Sequence, residues 1–101
     1  MLFFVYRVDK PGARDLREST RPAHLEYARG LGGRLRLAGP TLDEDGGRMT
    51  ASVFILEAAD RAEAEALTAE DPYEKAGLFE TKIVRPFMEV PPWDLKPAPG
   101  S

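Results

Sequence analysis

Cysteine is absent from the 101 residues. Disulfides, thiolate nucleophiles and Cys-ligated zinc or iron–sulfur sites are therefore excluded, and a reducing cytoplasm is compatible with the chain. There is one histidine. A metal site would rest on a single imidazole plus carboxylates, a poor donor set for structural zinc. No long apolar run exists either. Leu2-Phe3-Phe4-Val5-Tyr6 is too short for a secretory core or a bilayer span, and no basic segment precedes it. A mature cytoplasmic protein without membrane contact is expected. Positive charge is not in excess: the formal net charge is -3. Duplex binding depends on Lys and Arg neutralising phosphates, so no nucleic-acid partner is expected. The early arginines (Arg7, Arg14, Arg17, Arg21, Arg29, Arg34, Arg36) are interleaved with Asp9, Asp15, Glu18 and Glu26. What is present is 43% apolar and 31% charged, the composition of one small globular domain.

Leu2 to Val8 is aromatic and β-branched and runs into Asp9-Lys10-Pro11-Gly12. This predicts a first strand with apolar residues on both faces. Ala13 to Leu31 has helical periodicity. At ~100° per residue Ala13, Leu16, Thr20, Ala23, His24, Tyr27 and Leu31 fall on one arc. Pro22 lacks a donor and disfavours the helical region for Arg21. A kink is expected there, or two segments with Pro22 in the first turn of the second. Gly30, Gly32 and Gly33 end the helix. Arg34 to Ala38 predicts a second strand closed by a turn at Gly39-Pro40. Thr41 to Met49, with Asp43-Glu44-Asp45, has the composition of a solvated hairpin loop and lacks the ligand spacing of a calcium loop. A third strand is predicted over Thr50–Glu57. Asp60 and Glu63 form a capping box for a helix over Arg61–Glu70, with Ala59, Ala62, Ala66 and Ala69 as its inner face. Asp71-Pro72-Tyr73-Glu74 repeats the cap pattern and opens a short turn that Gly77 ends. Leu78 to Phe87 is the fourth strand. Residues 1–90 make the domain, and the Pro-rich residues 91–101 make a tail that cannot continue a central strand.

The order βαββαβ specifies an α+β, ferredoxin-like protomer: a four-stranded antiparallel sheet with both helices on one face. The other face is then bare, yet the first and third strands carry apolar residues on both sides. A second copy packed about a two-fold axis would cover it. The alternative cover is the tail, anchored by Trp93.

His24 is the only side chain whose ordinary titration lies near neutrality, which suits a general base. If Pro22 opens a helical segment, His24 sits in its first turn, where the dipole favours the neutral ring. It could equally be a histidine satisfied at the core edge by backbone bonds. Asp71 is a well-formed helix cap, and a carboxylate can cap with one oxygen and orient a base with the other. Arg21 suits an anionic substrate or a surface ion pair. Tyr73 can donate its hydroxyl to a ligand or pack at a dimer seam. Gly39-Pro40 is first a turn, and secondarily a place where backbone approaches a ligand.

Several segments in order resemble the YciI family: Met1-Leu2-Phe3-Phe4-Val5-Tyr6 with Asp9-Lys10-Pro11-Gly12, then Arg21-Pro22-Ala23-His24-Leu25, and Leu37-Ala38-Gly39-Pro40 with Asp43. Asp71-Pro72-Tyr73, Ala76-Gly77-Leu78-Phe79-Glu80 and Arg85-Pro86-Phe87 follow. The resemblance covers Met1 to about Phe87. It implies a ferredoxin-like protomer, a homodimer of the dimeric α/β-barrel type, and a cleft with a His–Asp pair. Carried onto this chain, the pair is His24 and Asp71, with Arg21, Gly39, Pro40 and Tyr73 on substrate-binding positions. It further implies lyase-type elimination on a small, often aromatic, substrate. The enzyme expected from this is one without cofactor or metal, acting on a small, anionic or phenolic substrate. Competing with this enzyme is a non-catalytic module that binds a metabolite in the same cleft. Haem or metal ligation has no support in the sequence beyond the lone imidazole.

Overall fold

Alternation along Leu2–Asp9 (β1) sets the architecture. Phe3, Val5 and Arg7 are buried on one face, while Leu2, Phe4, Tyr6 and Val8 are only partly covered on the other. In a computed structural model, which describes residues 1–95, β1 is followed by α1 (Arg14–Gly30), β2 (Leu35–Leu42), β3 (Met49–Glu57), α2 (Arg61–Ala69), α3 (Pro72–Lys75) and β4 (Phe79–Phe87). The part of the expected tail at residues 96–101 lies outside the described residues. The sheet order is β2-β3-β1-β4 and every pairing is antiparallel. This is the interleaved βαβ arrangement expected of a ferredoxin-like α+β fold.

The register puts Phe3 beside Leu56 and Val5 between Phe54 and Val84. Ala64 and Leu67 of α2 and Tyr27 and Leu31 of α1 pack on that same surface. Both helices therefore cover one face. The opposite face presents Phe4 stacked on Tyr6 at 6.0 Å, with Leu37, Ile83 and Phe87 exposed.

Four local expectations are corrected. First, α1 is one helix through Pro22. Pro22 is on the exposed side, where water can serve the carbonyl it leaves unbonded, and the buried Arg17 and His24 on either side of it keep the chain in one helix rather than two segments. His24 is thus well inside the helix rather than in a first turn, and the dipole argument for its neutrality does not apply. Second, Leu16 and Ala23 are exposed and Arg17 takes the inner position, drawn in by the partners described below. Third, Ala64, Leu67 and Thr68 face the sheet from α2, while Ala59, Ala62, Ala66 and Ala69 are exposed. Leu67 is the one large apolar side chain of that helix, so its burial fixes the rotation. Fourth, β2 continues through Gly39-Pro40 instead of ending there. As an edge strand it tolerates a residue without a ladder donor. Trp93 is 82% exposed and does not anchor the tail on the protomer's own sheet.

Asp60 caps α2 through Glu63 N at 2.8 Å, and the Glu63 carboxylate answers on Ala59 N at 3.1 Å. The capping box is therefore formed as expected. Gly77, at φ +76°, turns the chain from α3 into β4, a conformation that L side chains rarely adopt.

Tyr27 ties α1 to α2 by donating its hydroxyl to the Leu67 carbonyl at 2.6 Å. Burial, and then the negative charge of Asp71, push its phenol from the ordinary 10.0 to about 12. The folded state holds this proton more tightly than the unfolded chain does. Its contribution to stability is complete below pH 10.0 and is lost as the pH climbs to about 12. Urea unfolding across that interval should show declining stability, and Tyr27→Phe should flatten the decline.

Candidate active site

Two elements far apart in sequence deliver the central pair. α1 carries His24, and Asp71 is the residue that caps α3. Asp71 Oδ1 accepts from Tyr73 N at 2.9 Å, a cap favoured by Pro72 at the first helical position. The same carboxylate accepts from His24 Nδ1, at 2.9 Å to Oδ1 and 3.0 Å to Oδ2. A carboxylate only accepts, so Nδ1 carries a proton, and in the neutral ring Nε2 is the nitrogen with the lone pair. Tyr73 stacks on the imidazole with ring centres 4.0 Å apart and planes 16° from parallel. Phe54 also stacks on the ring, with centres 5.9 Å apart, so the imidazole is held by Asp71 and two stacking partners.

Asp71 is fully buried and does not face solvent. What sustains an ionised carboxylate there is Arg7, which is also fully buried. Arg7 Nη1 lies 3.0 Å from Asp71 Oδ2 and 2.9 Å from Glu74 Oε2. Lys82 Nζ, next to Arg7 in the register, bonds Glu74 Oε1 at 2.9 Å. Charges of opposite sign alternate from Lys82 through Glu74 and Arg7 to Asp71, which in turn faces His24. Phe54 and Phe79 each lie 4.7 Å from the Arg7 guanidinium carbon. Arg7 Nε and Nη2 have no hydrogen-bond partner among the described residues, and the flanking rings offset part of that cost through cation–π attraction.

The imidazole lines a cavity of about 170 Å³ together with Arg17, Arg21, Gly39, Pro40 and Tyr73. Every residue singled out in the sequence is at this cavity except Asp71, which stands behind His24. Continuation of β2 through Gly39-Pro40 makes that dipeptide a wall of the cavity rather than a turn near it. Burial raises the Tyr73 phenol above its ordinary value, against the opposing pull of Arg17 and Arg21. Its hydroxyl therefore stays a donor at neutral pH. Among the described residues no group of three or more His, Asp or Glu side chains is arranged to hold a metal ion, and no helix is long and apolar enough to cross a membrane.

Two site residues escaped the sequence reasoning. Arg7 shares the period-two phase of Phe3 and Val5, and an arginine in a core phase signals a buried partner. Arg17 is seven residues before His24, on the same helical face. Its Nε and Nη2 clasp Asp9 at 2.7 and 2.8 Å, Nη2 also reaches Ser52 Oγ at 2.9 Å, and the guanidinium covers the Tyr73 ring at 4.7 Å.

Removing Arg7 leaves Asp71 buried and uncompensated. Arg7→Met should lower stability by ~3–5 kcal/mol in urea unfolding, the loss typical of a broken buried ion pair. Arg14→Met, which removes an exposed pair with Glu18, should change it little.

The model of the YCII-related domain matches residues 1–88. Protein YciI of Escherichia coli O6:H1 is 37% identical over 97 residues, spanning 89% of this chain and 99% of that protein, and Protein YciI of Shigella flexneri matches to the same extent. Among solved structures, 5-chloro-2-hydroxyhydroquinone dehydrochlorinase of Burkholderia phenoliruptrix AC1100, in complex with 2,5-dihydroxybenzoquinone, superposes with a TM-score of 0.82. It is 37% identical, with 89% of this chain and 96% of that chain covered. An antibiotic biosynthesis monooxygenase superposes with a TM-score of 0.54 at 20% identity, over 90% of this chain and 100% of that one; this second likeness concerns the fold alone. A family match across nearly the whole described chain, with relatives at this identity, assigns the chain to its family: it belongs to the YCII-related domain family.

Proposed function

We propose that this protein is a small lyase-type enzyme in which His24, oriented by Asp71, is the general base toward a single-ring hydroxylated aromatic substrate. The observation that carries this is the committed Nδ1. With that nitrogen donating to a buried carboxylate, the unshared nitrogen of a cavity-lining ring is the one free to take a proton. The ring carbon that bears the leaving group first gains a proton as a neighbouring hydroxyl becomes a carbonyl (the keto tautomer). Nε2 then removes a proton from a second ring hydroxyl, its electron pair moves through the ring as a second carbonyl forms, and the leaving group departs with its bonding pair. Asp71 never touches substrate. It fixes the tautomer and stabilises the imidazolium that forms.

The size of the cavity supports a single ring. About 150 Å³ of apolar cavity takes a benzene, and this one measures about 170 Å³. Phe54 and Tyr73 on its walls suit an aromatic face. The dehydrochlorinase at 37% identity, solved with a dihydroxybenzoquinone, supports the same reaction class. Acid–base proton transfer of this kind needs only a positioned imidazole, so the proposal invokes no cofactor.

We also infer that two copies pair through the open sheet face. Phe4, Tyr6, Leu37, Ile83 and Phe87 form an apolar surface there that no described part of the protomer covers. A two-fold axis would bury it against itself.

Both parts have direct tests. With 5-chloro-2-hydroxyhydroquinone and related halogenated hydroquinones, His24→Gln should lose ~10²–10⁴-fold in kcat/KM for halide release while keeping its urea midpoint; unchanged turnover in that variant would refute the base. Sedimentation equilibrium should give a dimer for the parent chain and a monomer for Ile83→Asp; a monomeric parent would refute the pairing.

A further inference from the structure

The cavity beside His24 does not end at Arg21. A second cavity of about 250 Å³ is lined by Arg14, Arg17, Glu18, Arg21, Arg48 and Met49, with Gly47 at its edge. Arg17, Arg21 and Met49 line both spaces, so the two share a wall. The second space is far more basic than the rest of the molecule. It gathers four arginines and one glutamate in a chain whose formal net charge is -3.

Pairing sorts these arginines. Arg14 is held by Glu18 at 3.1 Å, which also accounts for the one acid in the lining. Arg17 is committed to Asp9 and Ser52. Arg21 and Arg48 have no hydrogen bond or ion pair to another side chain among the described residues. Nor does the neighbouring acidic loop neutralise Arg48. Asp43 Oδ1 is turned onto Gly47 N at 3.2 Å, while Glu44 and Asp45 are exposed and form no ion pair among the described residues. Two uncommitted guanidinium groups therefore flank a hollow that adjoins the base. A concave, basic site focuses field and favours an anion there. Planar guanidinium forks favour a carboxylate, which they can grip through two parallel bonds.

We propose that this annex binds a carboxylate arm on the substrate, with Arg21 and Arg48 as its charge partners, so that among single-ring hydroxylated aromatics the site favours an acid over a neutral hydroquinone. The inference rests on His24 as the base of the adjoining cavity. The ring lies against His24, Tyr73 and Phe54, and the acid group reaches past Arg21 toward Arg48. Arg21 sits at the junction and contributes to both spaces. Of these two spaces Arg48 lines only the annex, which makes it the residue that separates them.

Calorimetric titration of the full chain with hydroquinone, gentisate and homogentisate tests this, read as the ratio of acid affinity to neutral affinity. The parent chain should favour at least one acid by about tenfold or more, the scale of one charge-assisted hydrogen-bonded pair. Arg48→Gln should bring that ratio close to one, Arg48→Lys should restore part of it, and added salt should erode it. A ratio near one in the parent chain, including no measurable binding of either acid, overturns the proposal. So does a ratio that Arg48→Gln leaves intact, or acetate binding as tightly as gentisate, which would mark a general anion attraction only. The measurement is of binding and does not depend on turnover. If His24→Gln keeps its activity while the acid preference holds, the base assignment fails and the annex stands; the reverse pattern removes the annex and leaves the base.

Discussion

A buried cation makes this site possible. Arg7 is fully enclosed, 3.0 Å from Asp71 and flanked by two aromatic rings. Without it, Asp71 would be a lone carboxylate in the interior, where an ionised group is strongly disfavoured and a carboxyl takes up a proton instead. A protonated Asp71 would no longer need the His24 Nδ1 proton, and the tautomer would be free. One ion pair thus connects the core of the sheet to the state of the imidazole. Glu74 and Lys82 extend the pair, so that Arg7 serves two acids and Glu74 two cations. A buried network of this kind is weak evidence for net stability, because desolvating its members offsets much of the attraction. Its value here is geometric: it fixes which atoms of Asp71 and His24 meet.

The fold supplies the rest of that geometry cheaply. β1 is a central strand, bonded on both sides, so Arg7 sits on the most rigid part of the sheet. α1 crosses the same face and brings His24 and Arg17 over it. The short α3 presents Asp71 as its cap, and the Tyr73 that follows supplies both a backbone donor to the carboxylate and a ring beneath the imidazole. Four residues of helix therefore do three jobs. The edge strand β2 closes the cavity with Gly39 and Pro40, where the lack of a large side chain leaves room beside His24.

Much of this was legible in the chain. Aromatic and β-branched runs at Leu2–Val8 and Thr50–Glu57 and the turn signals between elements were enough for the βαββαβ order. The capping box at Asp60 and Glu63 and the cap at Asp71 formed as written. The association of His24 with Asp71 was not legible from spacing, since 47 positions separate them; it came from resemblance. Misread details share a cause, namely tertiary packing overriding a local rule. Pro22 did not interrupt α1 because side chains on both sides of it are held by the sheet. The alanine face of α2 turned outward because one leucine outweighs four methyl groups. Gly39-Pro40 stayed in a strand because an edge tolerates a missing donor. Arg7 and Arg17 were noted only among the early arginines interleaved with acids, although their phase along strand and helix already put them inside.

Because the chain has a single histidine, its ring nitrogens can be read without ambiguity. The decisive measurement is a long-range proton–nitrogen correlation spectrum of the folded protein at mildly alkaline pH, where an imidazole is neutral. A carboxylate held ionised by Arg7 requires the Nδ1-protonated tautomer, with Nε2 bare and the Nδ1 proton protected from exchange. A ring protonated on Nε2, or one averaging rapidly between the two forms, would contradict the account at its centre.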